Sequence, residues 1–263
     1  MGRPVVALLT DFGTSNHYAG TMKGVVLGIC PEVTLVDIAH DLPAHDVLAG
    51  ALELAACHRY FPPGTIFLVV VDPGVGSARR CLAVDAGEYR FVAPDNGVLS
   101  VSLQETPPRK IVELTERKYA RPTISRTFEG RDRFAPAAGW LARGVPVTSL
   151  GRPVPDYHRL DLPAPVAIDD GLAGVVLTVD RFGNAITNLD RRTVDRAVSR
   201  PASIVAGAHE VSRLVATYAD VADDEVCALF GSSDHLEIAV RGGSAAARLG
   251  LTRGSPVVVR RQT

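Results

Sequence analysis

Short apolar runs alternate with longer amphipathic segments along the first half of the chain. The runs "VVALLT", "VTLVDI" and "TIFLVVV" have the length and β-branched content of buried strands, at residues 5–10, 33–38 and 65–71. The segments between them, residues 17–30 and 45–60, predict helices that end at a proline or at "FPPG". This alternation predicts a parallel sheet covered by helices.

Three shorter strands and a third helix continue this half. "CLAVDA", "RFVAP" and "KIVEL" predict strands at residues 81–86, 90–94 and 110–114. Residues 131–142 predict a helix that carries the single tryptophan, Trp140. We therefore predict an α/β fold class, with a mostly parallel sheet, for an N-terminal domain at residues 1–152.

The pattern changes at residues 153–165, where four prolines among polar residues predict a linker. Short β-rich runs then recur between turns rich in glycine, asparagine and aspartate. These runs are "GVVLTVD", "AITNL", "ASIVA", "EVSRLV", "EVCALF", "HLEIAV" and "SPVVVR". Their spacing predicts a smaller all-β domain, barrel-like or sandwich-like, at residues 166–263.

Composition and charge exclude several classes of partner. Lys and Arg number 28 against 29 Asp and Glu, and no basic run stands out, so nucleic acid is not expected as the main partner. No apolar run approaches the roughly 18 residues of a membrane span. The start of the chain has too short an apolar run for a signal peptide. Four scattered cysteines without a CxxC pair indicate a reducing compartment, and we expect a cytoplasmic protein without a metal site.

Candidate ligand-binding residues follow two of the predicted strands. Asp11 follows the first strand, and Asp72 follows the third, with Arg79 seven residues further on. Ligands of parallel α/β sheets collect outside the carboxyl ends of the strands. Each acid alone fits a cap or an Asx-turn equally well.

Two segments of the β-rich half could also contact a ligand. "DRFGNAITN", at residues 180–188, is by itself typical of a hairpin turn. In a binding site, Phe182 would offer a stacking face and Asn184 a paired donor and acceptor for a nucleobase edge. "GSSDHLEIAV" begins as a turn that offers the hydroxyls of Ser232 and Ser233.

Six blocks, taken in order, carry a family resemblance. They are "LLTDFG…MKG", "VVVDPGVGSARR", "APDNG", "TFEGRDRFAPAAG", "VDRFGNAITN" and "HLEIAV". From Leu8 to about Leu251 the chain resembles the S-adenosyl-L-methionine hydroxide adenosyltransferases, adenosine-forming hydrolases related to fluorinase and chlorinase enzymes. The resemblance implies an α/β domain followed by a β domain, a homotrimer with ligand sites between neighbouring subunits, S-adenosylmethionine as the small-molecule substrate, and no cofactor.

The resemblance also implies roles for single residues. Asp11 is expected to hold the ribose hydroxyls, Phe182 and Tyr218 to flank the adenine, and Asn184 to read its edge. Asn16 stands where relatives often have an acid facing the methionine part, so that charge is lost. The implied substrate-binding residues are Asp11, Asn16, Phe128 near the ribose, Gly130, Asp180 and Ser232 at the methionine group, Phe182, Asn184, Tyr218 and Val240.

The implied catalytic residues include one departure from the family pattern. The family holds the attacking water with an Asp–Arg–His set, of which Asp72 and Arg79 match the first two members. Glu129 stands where the histidine should be. A second acid beside Arg79 favours a general base over a cationic anchor. Alternatively, Glu129 turns away to pair with an arginine of "RTFEGRDRF", which would leave the water to Asp72 and Arg79 alone.

The predicted reaction is hydrolysis of S-adenosylmethionine to adenosine and methionine. The sulfonium is already a good neutral leaving group, so the protein must chiefly orient and activate water. Halide transfer is disfavoured, because Asp72 and Glu129 would repel a halide. A nucleoside-binding protein that has lost catalysis remains an alternative, motivated by Glu129.

Overall fold

The computed structural model describes residues 2–198 and 201–261. Residues 1, 199–200 and 262–263 of the predicted domains therefore lie outside the described residues. The chain divides into two compact units, Met1–Leu160 and Asp161–Thr263. This division falls inside the segment predicted as a linker, and the predicted domain limits themselves stay a prediction.

Unit 1 is built on a mixed sheet that confirms the predicted α/β class. Within the described residues its seven strands lie in the order β2-β1-β3-β5-β4-β6-β7. β1 is parallel to β2 and β3, and β3 is parallel to β5, whereas β4, β6 and β7 pair antiparallel. The strands are β1 Val5–Thr10, β2 Thr34–Ala39, β3 Ile66–Val70, β4 Cys81–Ala86, β5 Tyr89–Pro94, β6 Pro108–Glu113 and β7 Arg152–Pro153.

Four α-helices of unit 1 are described, and the predicted helices correspond to three of them. They are α1 Tyr18–Ile29, α2 Val47–Cys57, α3 Ser100–Glu105 and α4 Ala135–Ala142. α2 starts later than predicted because the Asp46 side chain caps it by accepting from the Ala49 backbone N–H. The predicted helix at residues 131–142 begins instead as a π-helical turn, Gly130–Phe134. α3 has only six residues and was not predicted, since periodicity needs a longer run.

The two faces of this sheet are buried in separate apolar cores. Val6 and Leu8 of β1 point into a core with Met22 of α1 and Phe134. The alternate residues of the same strand point into a core on the opposite face, with Leu54 of α2. A strand buried on both faces reads as a continuous apolar run, which explains "VVALLT".

Unit 2 is a nearly closed, antiparallel, barrel-like sheet, which confirms the predicted all-β architecture. In the described part its strands are β8 Val166–Ile168, β9 Gly171–Val179, β10 Ala185–Asp190, β11 Pro201–Ala206, β12 His209–Val211, β13 Val226–Phe230, β14 His235–Val240 and β15 Pro256–Arg261. The order is β12-β11-β15-β9-β10-β14-β13, with β8 on β9.

Two short helices of unit 2 were not predicted, and one predicted strand is wrong in part. The helices are α5 Arg191–Ala197 and α6 Ala245–Leu249. The strand predicted for "EVSRLV" ends at Val211, and the chain then leaves β11 for β13, where Leu214 forms an isolated parallel bridge with Ala228. None of the helices in residues 2–198 and 201–261 is long and apolar enough to cross a membrane.

Candidate active site

The carboxyl ends of β1 and β3 meet at one edge of the unit 1 sheet. The strands are parallel, and Thr10 lies opposite Val70 in their register. Asp11 and Asp72 therefore leave the sheet at the same edge, as the sequence predicts. The Oδ2 atom of Asp11 accepts a hydrogen bond from the His45 backbone N–H at 2.7 Å, and His45 has a φ of 68°. A left-handed conformation at a non-glycine residue is uncommon, and here it aims a backbone donor at the carboxylate.

Asp72 and Arg79 form a buried, two-pronged ion pair. Nε of Arg79 lies 3.0 and 3.1 Å from the two Asp72 oxygens, and Nη2 lies 2.5 Å from Oδ2. The side chains are 4% exposed for Asp72 and 9% for Arg79. Paired donors of this kind fix the orientation of the carboxylate as well as its charge.

The loop between these two residues depends on a glycine. Gly76 has a φ of 77°, and a side chain there would collide with the carbonyl oxygen of Arg126. Arg126 in turn donates from Nη2 to the Gly76 carbonyl oxygen at 3.3 Å. The close approach brings the segment that contains Glu129 against the loop that contains Arg79.

Glu129 is buried beside Asp72 and Arg79, with only 8% of the residue exposed. Its Oε2 atom accepts a hydrogen bond from Nη2 of Arg79. Its Oε1 atom lies 2.9 Å from Nε of Arg133, one helical turn away. Glu129 therefore pairs with Arg133 of its own segment, as the second alternative predicts, but it also contacts Arg79. The structure brings all three predicted catalytic side chains together.

Cys81 is a fourth member of this cluster that the sequence reasoning missed. Its Sγ accepts from Nη1 of Arg79 at 2.9 Å and lies 3.8 Å from Oε2 of Glu129. Burial raises the pKa of the Cys81 thiol to about 11, so it stays neutral at physiological pH. The available signal was its position two residues after Arg79, at the start of β4.

The charges of the cluster nearly balance. Burial alone would lower the pKa of Arg79, but the hydrogen bonds with Asp72 and the nearby negative charges outweigh burial and raise it. The positive charges of Arg79 and Arg133 offset the negative charges of Asp72 and Glu129, so the site carries no large net charge.

A cavity of about 600 Å³ lies in unit 1 beside Arg79. It is lined by Ala78, Arg79, Arg80, Asp95 and residues 156–159.

Aromatic rings surround the predicted ribose residue. Phe128, 9% exposed, meets Tyr18 edge-on at 5.1 Å and Phe12 at 6.1 Å between ring centroids. Gly130 is tightly packed, since a Cβ atom there would lie 3.1 Å from Sδ of Met22. Asn16 lies exposed on the loop before α1. Phe12 and Tyr18 were not predicted as site residues, although Phe12 lies within the "TDFG" block and Tyr18 follows it.

Two of the predicted residues of unit 2, Phe182 and Asn184, form a second cluster around Asp180. Its Oδ1 atom accepts from the backbone N–H groups of Phe182 and Asn184 at 2.9 and 2.8 Å, and its Oδ2 atom accepts from Nδ2 of Asn184 at 3.0 Å. These hydrogen bonds hold the turn that carries Phe182, a residue that is 78% exposed. An exposed ring on a rigid turn is suited to stacking.

Tyr218, Ser232 and Val240 have different surroundings. Tyr218 is 40% exposed and donates from its hydroxyl to Oε2 of Glu237 at 3.0 Å. Ser232 is exposed, whereas Val240 is 5% exposed and belongs to the apolar core of unit 2. Glu237 belongs to the block "HLEIAV", but it was not predicted as a site residue. Among the described residues, no group of three His, Cys, Asp or Glu side chains could hold a metal ion.

Comparison with known families and sequences gives matches over nearly the whole chain. The profile of the SAM hydroxide adenosyltransferase N-terminal domain matches residues 6–151, and that of the C-terminal domain matches residues 174–258. An (R)-S-adenosyl-L-methionine hydrolase of Thermus thermophilus is 41% identical, over 97% of this chain and 98% of the relative. Another hydrolase of that name, from Salinispora tropica, is 37% identical over 95% of both chains. A fluorinase of an Actinoplanes species is 30% identical over 74% of this chain and 75% of its own.

Solved structures share the same fold. The crystal structure of an uncharacterized conserved protein from Thermotoga maritima superposes with a TM-score of 0.91 at 33% identity, over 97% of this chain and all of the other. A conserved hypothetical protein from Thermus thermophilus has a TM-score of 0.80 at 38% identity, over 98% and 99% of the two chains.

Proposed function

The chain belongs to the S-adenosyl-L-methionine hydroxide adenosyltransferase family, and from this premise we propose that it hydrolyses S-adenosyl-L-methionine to adenosine and L-methionine. The observation that carries the proposal is the buried cluster of Asp72, Arg79 and Glu129 at the carboxyl edge of the parallel strands. Two carboxylates on one guanidinium offer acceptors for both hydrogens of a water molecule.

The proposed chemistry is a single displacement at the ribose 5′ carbon. The water oxygen forms a bond to that carbon as the carbon–sulfur bond breaks, and the bonding electron pair goes to the sulfur. The sulfonium becomes the neutral thioether of methionine, so the leaving group needs no proton. The water loses one proton to Asp72 or Glu129, and orientation of the water supplies the larger share of the rate.

The substrate-binding roles follow the family pattern. Asp11 holds the ribose hydroxyls with the oxygen that His45 leaves free, and Phe128 packs near the ribose. Phe182 and Tyr218 flank the adenine, and Asn184 meets its edge. Asp180 and Ser232 contact the methionine group, while Asn16, Gly130 and Val240 complete the predicted set. Val240 acts through packing, because its side chain is in the core.

The assembly, location and cofactor requirement are further parts of the proposal. The chain forms a homotrimer with its ligand sites between neighbouring copies. The large exposed fraction of Phe182 supports a site completed by another surface. The enzyme works in the cytoplasm, without a metal or organic cofactor and without a nucleic-acid or membrane partner.

The test is incubation with S-adenosylmethionine in the presence of chloride, followed by chromatography. Adenosine and methionine in equal amounts are the expected products. A 5′-halo nucleoside would instead assign the chain to halide transfer, the activity for which the fluorinase relatives are named. Adenosine binding without any turnover would support the second candidate, a nucleoside-binding protein, which the glutamate at position 129 favours.

A further inference from the structure

Glu237 is a buried acid to which the proposed chemistry gives no role. It is 6% exposed and lies on β14, where Leu236 and Ile238 point into the main core of unit 2. Glu237 therefore faces the other side of the sheet, opposite Leu229 of β13. Burying a carboxyl group is costly unless the group is hydrogen-bonded, so its presence calls for a partner.

Tyr218 is that partner. Its hydroxyl donates to Oε2 of Glu237 at 3.0 Å across 19 residues of sequence. The backbone of Tyr218 is held separately by a capping box, in which Thr217 and Asp220 bond to each other's backbone N–H groups. The backbone and the hydroxyl of Tyr218 are thus each held by a separate contact, while 40% of the residue remains exposed.

A glycine makes room for the carboxyl group. Gly231 follows β13, and a Cβ atom at this position would overlap Oε1 of Glu237. The carboxyl group therefore lies directly over the bare backbone of residue 231. A glycine that accommodates the acid and a tyrosine that binds it are two separate adaptations to one side chain.

We propose that Glu237 is a positioning residue that holds the Tyr218 ring in the orientation that receives the nucleobase. This inference rests on the proposed function, since the adenine of the substrate is the base concerned. Fixing the ring before the ligand arrives lowers the entropy lost on binding. The hydrogen bond between Glu237 and Tyr218 acts on ground-state binding. Its loss therefore raises KM and leaves kcat nearly unchanged.

A double-mutant cycle measures this action directly. We expect Glu237→Ala and Tyr218→Phe each to raise the Kd for adenosine, measured by calorimetry, roughly threefold to tenfold, the value of one hydrogen bond. The double variant should match the weaker-binding single variant, because Glu237 acts through the tyrosine hydroxyl. Glu237→Gln keeps an acceptor and should bind within about twofold of the parent. Asp223→Asn, a surface acid of the same unit with its side chain 84% exposed, is the control.

A second kind of variant should weaken adenosine binding without changing Glu237 or Tyr218. Gly231→Ala places a methyl group where the Glu237 carboxyl lies, so it should reproduce the Kd of Glu237→Ala. Thermal unfolding of each variant without ligand identifies any that fail to fold.

The outcomes separate this inference from the proposed function. Additive effects in the cycle, an unchanged Kd in Glu237→Ala, or a Glu237→Gln variant as weak as Glu237→Ala would overturn the inference alone. A parent protein that neither binds adenosine nor forms it would overturn both.

Discussion

Nη2 of Arg79 donates a hydrogen bond to Oε2 of Glu129, although the two residues are 50 positions apart and both side chains are nearly buried. The resemblance implies a histidine at this position, and here a glutamate lies in the cluster with Arg79 and Asp72. The glutamate keeps a hydrogen-bonding group next to the expected water, with a charge opposite to that of a protonated histidine.

Asp72→Asn should abolish most of the activity. The change removes a base, a water acceptor and the charge that orients Arg79 through three hydrogen bonds. We expect kcat to fall by roughly a hundredfold or more, measured as adenosine formed from S-adenosylmethionine. Glu53→Gln, an exposed acid on α2 of the same unit, should match the parent. An active Asp72→Asn variant would remove Asp72 from the water site.

Glu129→Gln should lower kcat by less than Asp72→Asn does, but the loss should still be measurable. If Glu129 shares the general-base role, kcat falls in Glu129→Gln, because the amide cannot accept a proton from the attacking water. Glu129→His restores the family's set and should retain or raise the rate. The measurement is kcat for the parent and the two variants. Should Glu129→Gln equal the parent, Asp72 and Arg79 would constitute the whole water site.

Phe182→Ala should weaken substrate binding without affecting folding. The ring is 78% exposed, so the free energy of unfolding should stay within about 0.5 kcal/mol of the parent. KM should rise roughly threefold to tenfold from the lost stacking. Tyr60→Ala removes another exposed aromatic ring, 72% exposed in unit 1, and should leave KM unchanged. Equal KM values for all three proteins would exclude Phe182 from the adenine site.

Glu237 should make the stability of the parent depend on pH. Burial raises the pKa of Glu237 above its ordinary value of 4.5, and Asp180 adds to the rise, whereas the Tyr218 hydrogen bond and His235 oppose it. Because the folded state then holds its proton more tightly than the unfolded state, stability is lost as the pH rises through the folded pKa. Chemical denaturation from pH 4.5 upward should show a decline in the parent that Glu237→Gln lacks. Parallel curves would show that burial of this acid has no cost in stability.

The sequence predicted the parallel core of unit 1 well, because strands buried on both faces read as continuous apolar runs. It also placed Asp11 and Asp72 at one sheet edge, since parallel strands share their carboxyl edge. The sequence left the orientation of Glu129 open, because Arg79 and the three arginines of "RTFEGRDRF" were all candidate partners. The close packing of Gly76 against Arg126 brings this segment to Arg79, and Glu129 contacts both Arg79 and Arg133.

Other site residues could not be predicted from local patterns. Cys81 and Glu237 lie on strands whose alternation is typical of ordinary core packing. The contact of Glu237 with Tyr218 spans 19 residues and depends on tertiary structure, whereas Cys81 lies only two residues after Arg79. The short helices α3, α5 and α6 have too few turns to show a period, and the side chains of Asp190 and Ser244 cap α5 and α6.

In the proposed reaction, water attacks the ribose 5′ carbon of S-adenosylmethionine, and isotope labelling can follow the water oxygen into the product. The parent and Asp72→Asn proteins are incubated with the substrate in H₂¹⁸O, and the nucleoside is analysed by mass spectrometry. We predict that the parent forms adenosine with ¹⁸O at its 5′ oxygen, alongside unlabelled methionine, and that Asp72→Asn forms almost none. Adenosine without the label, a 5′-halo nucleoside or an intact substrate would contradict the account.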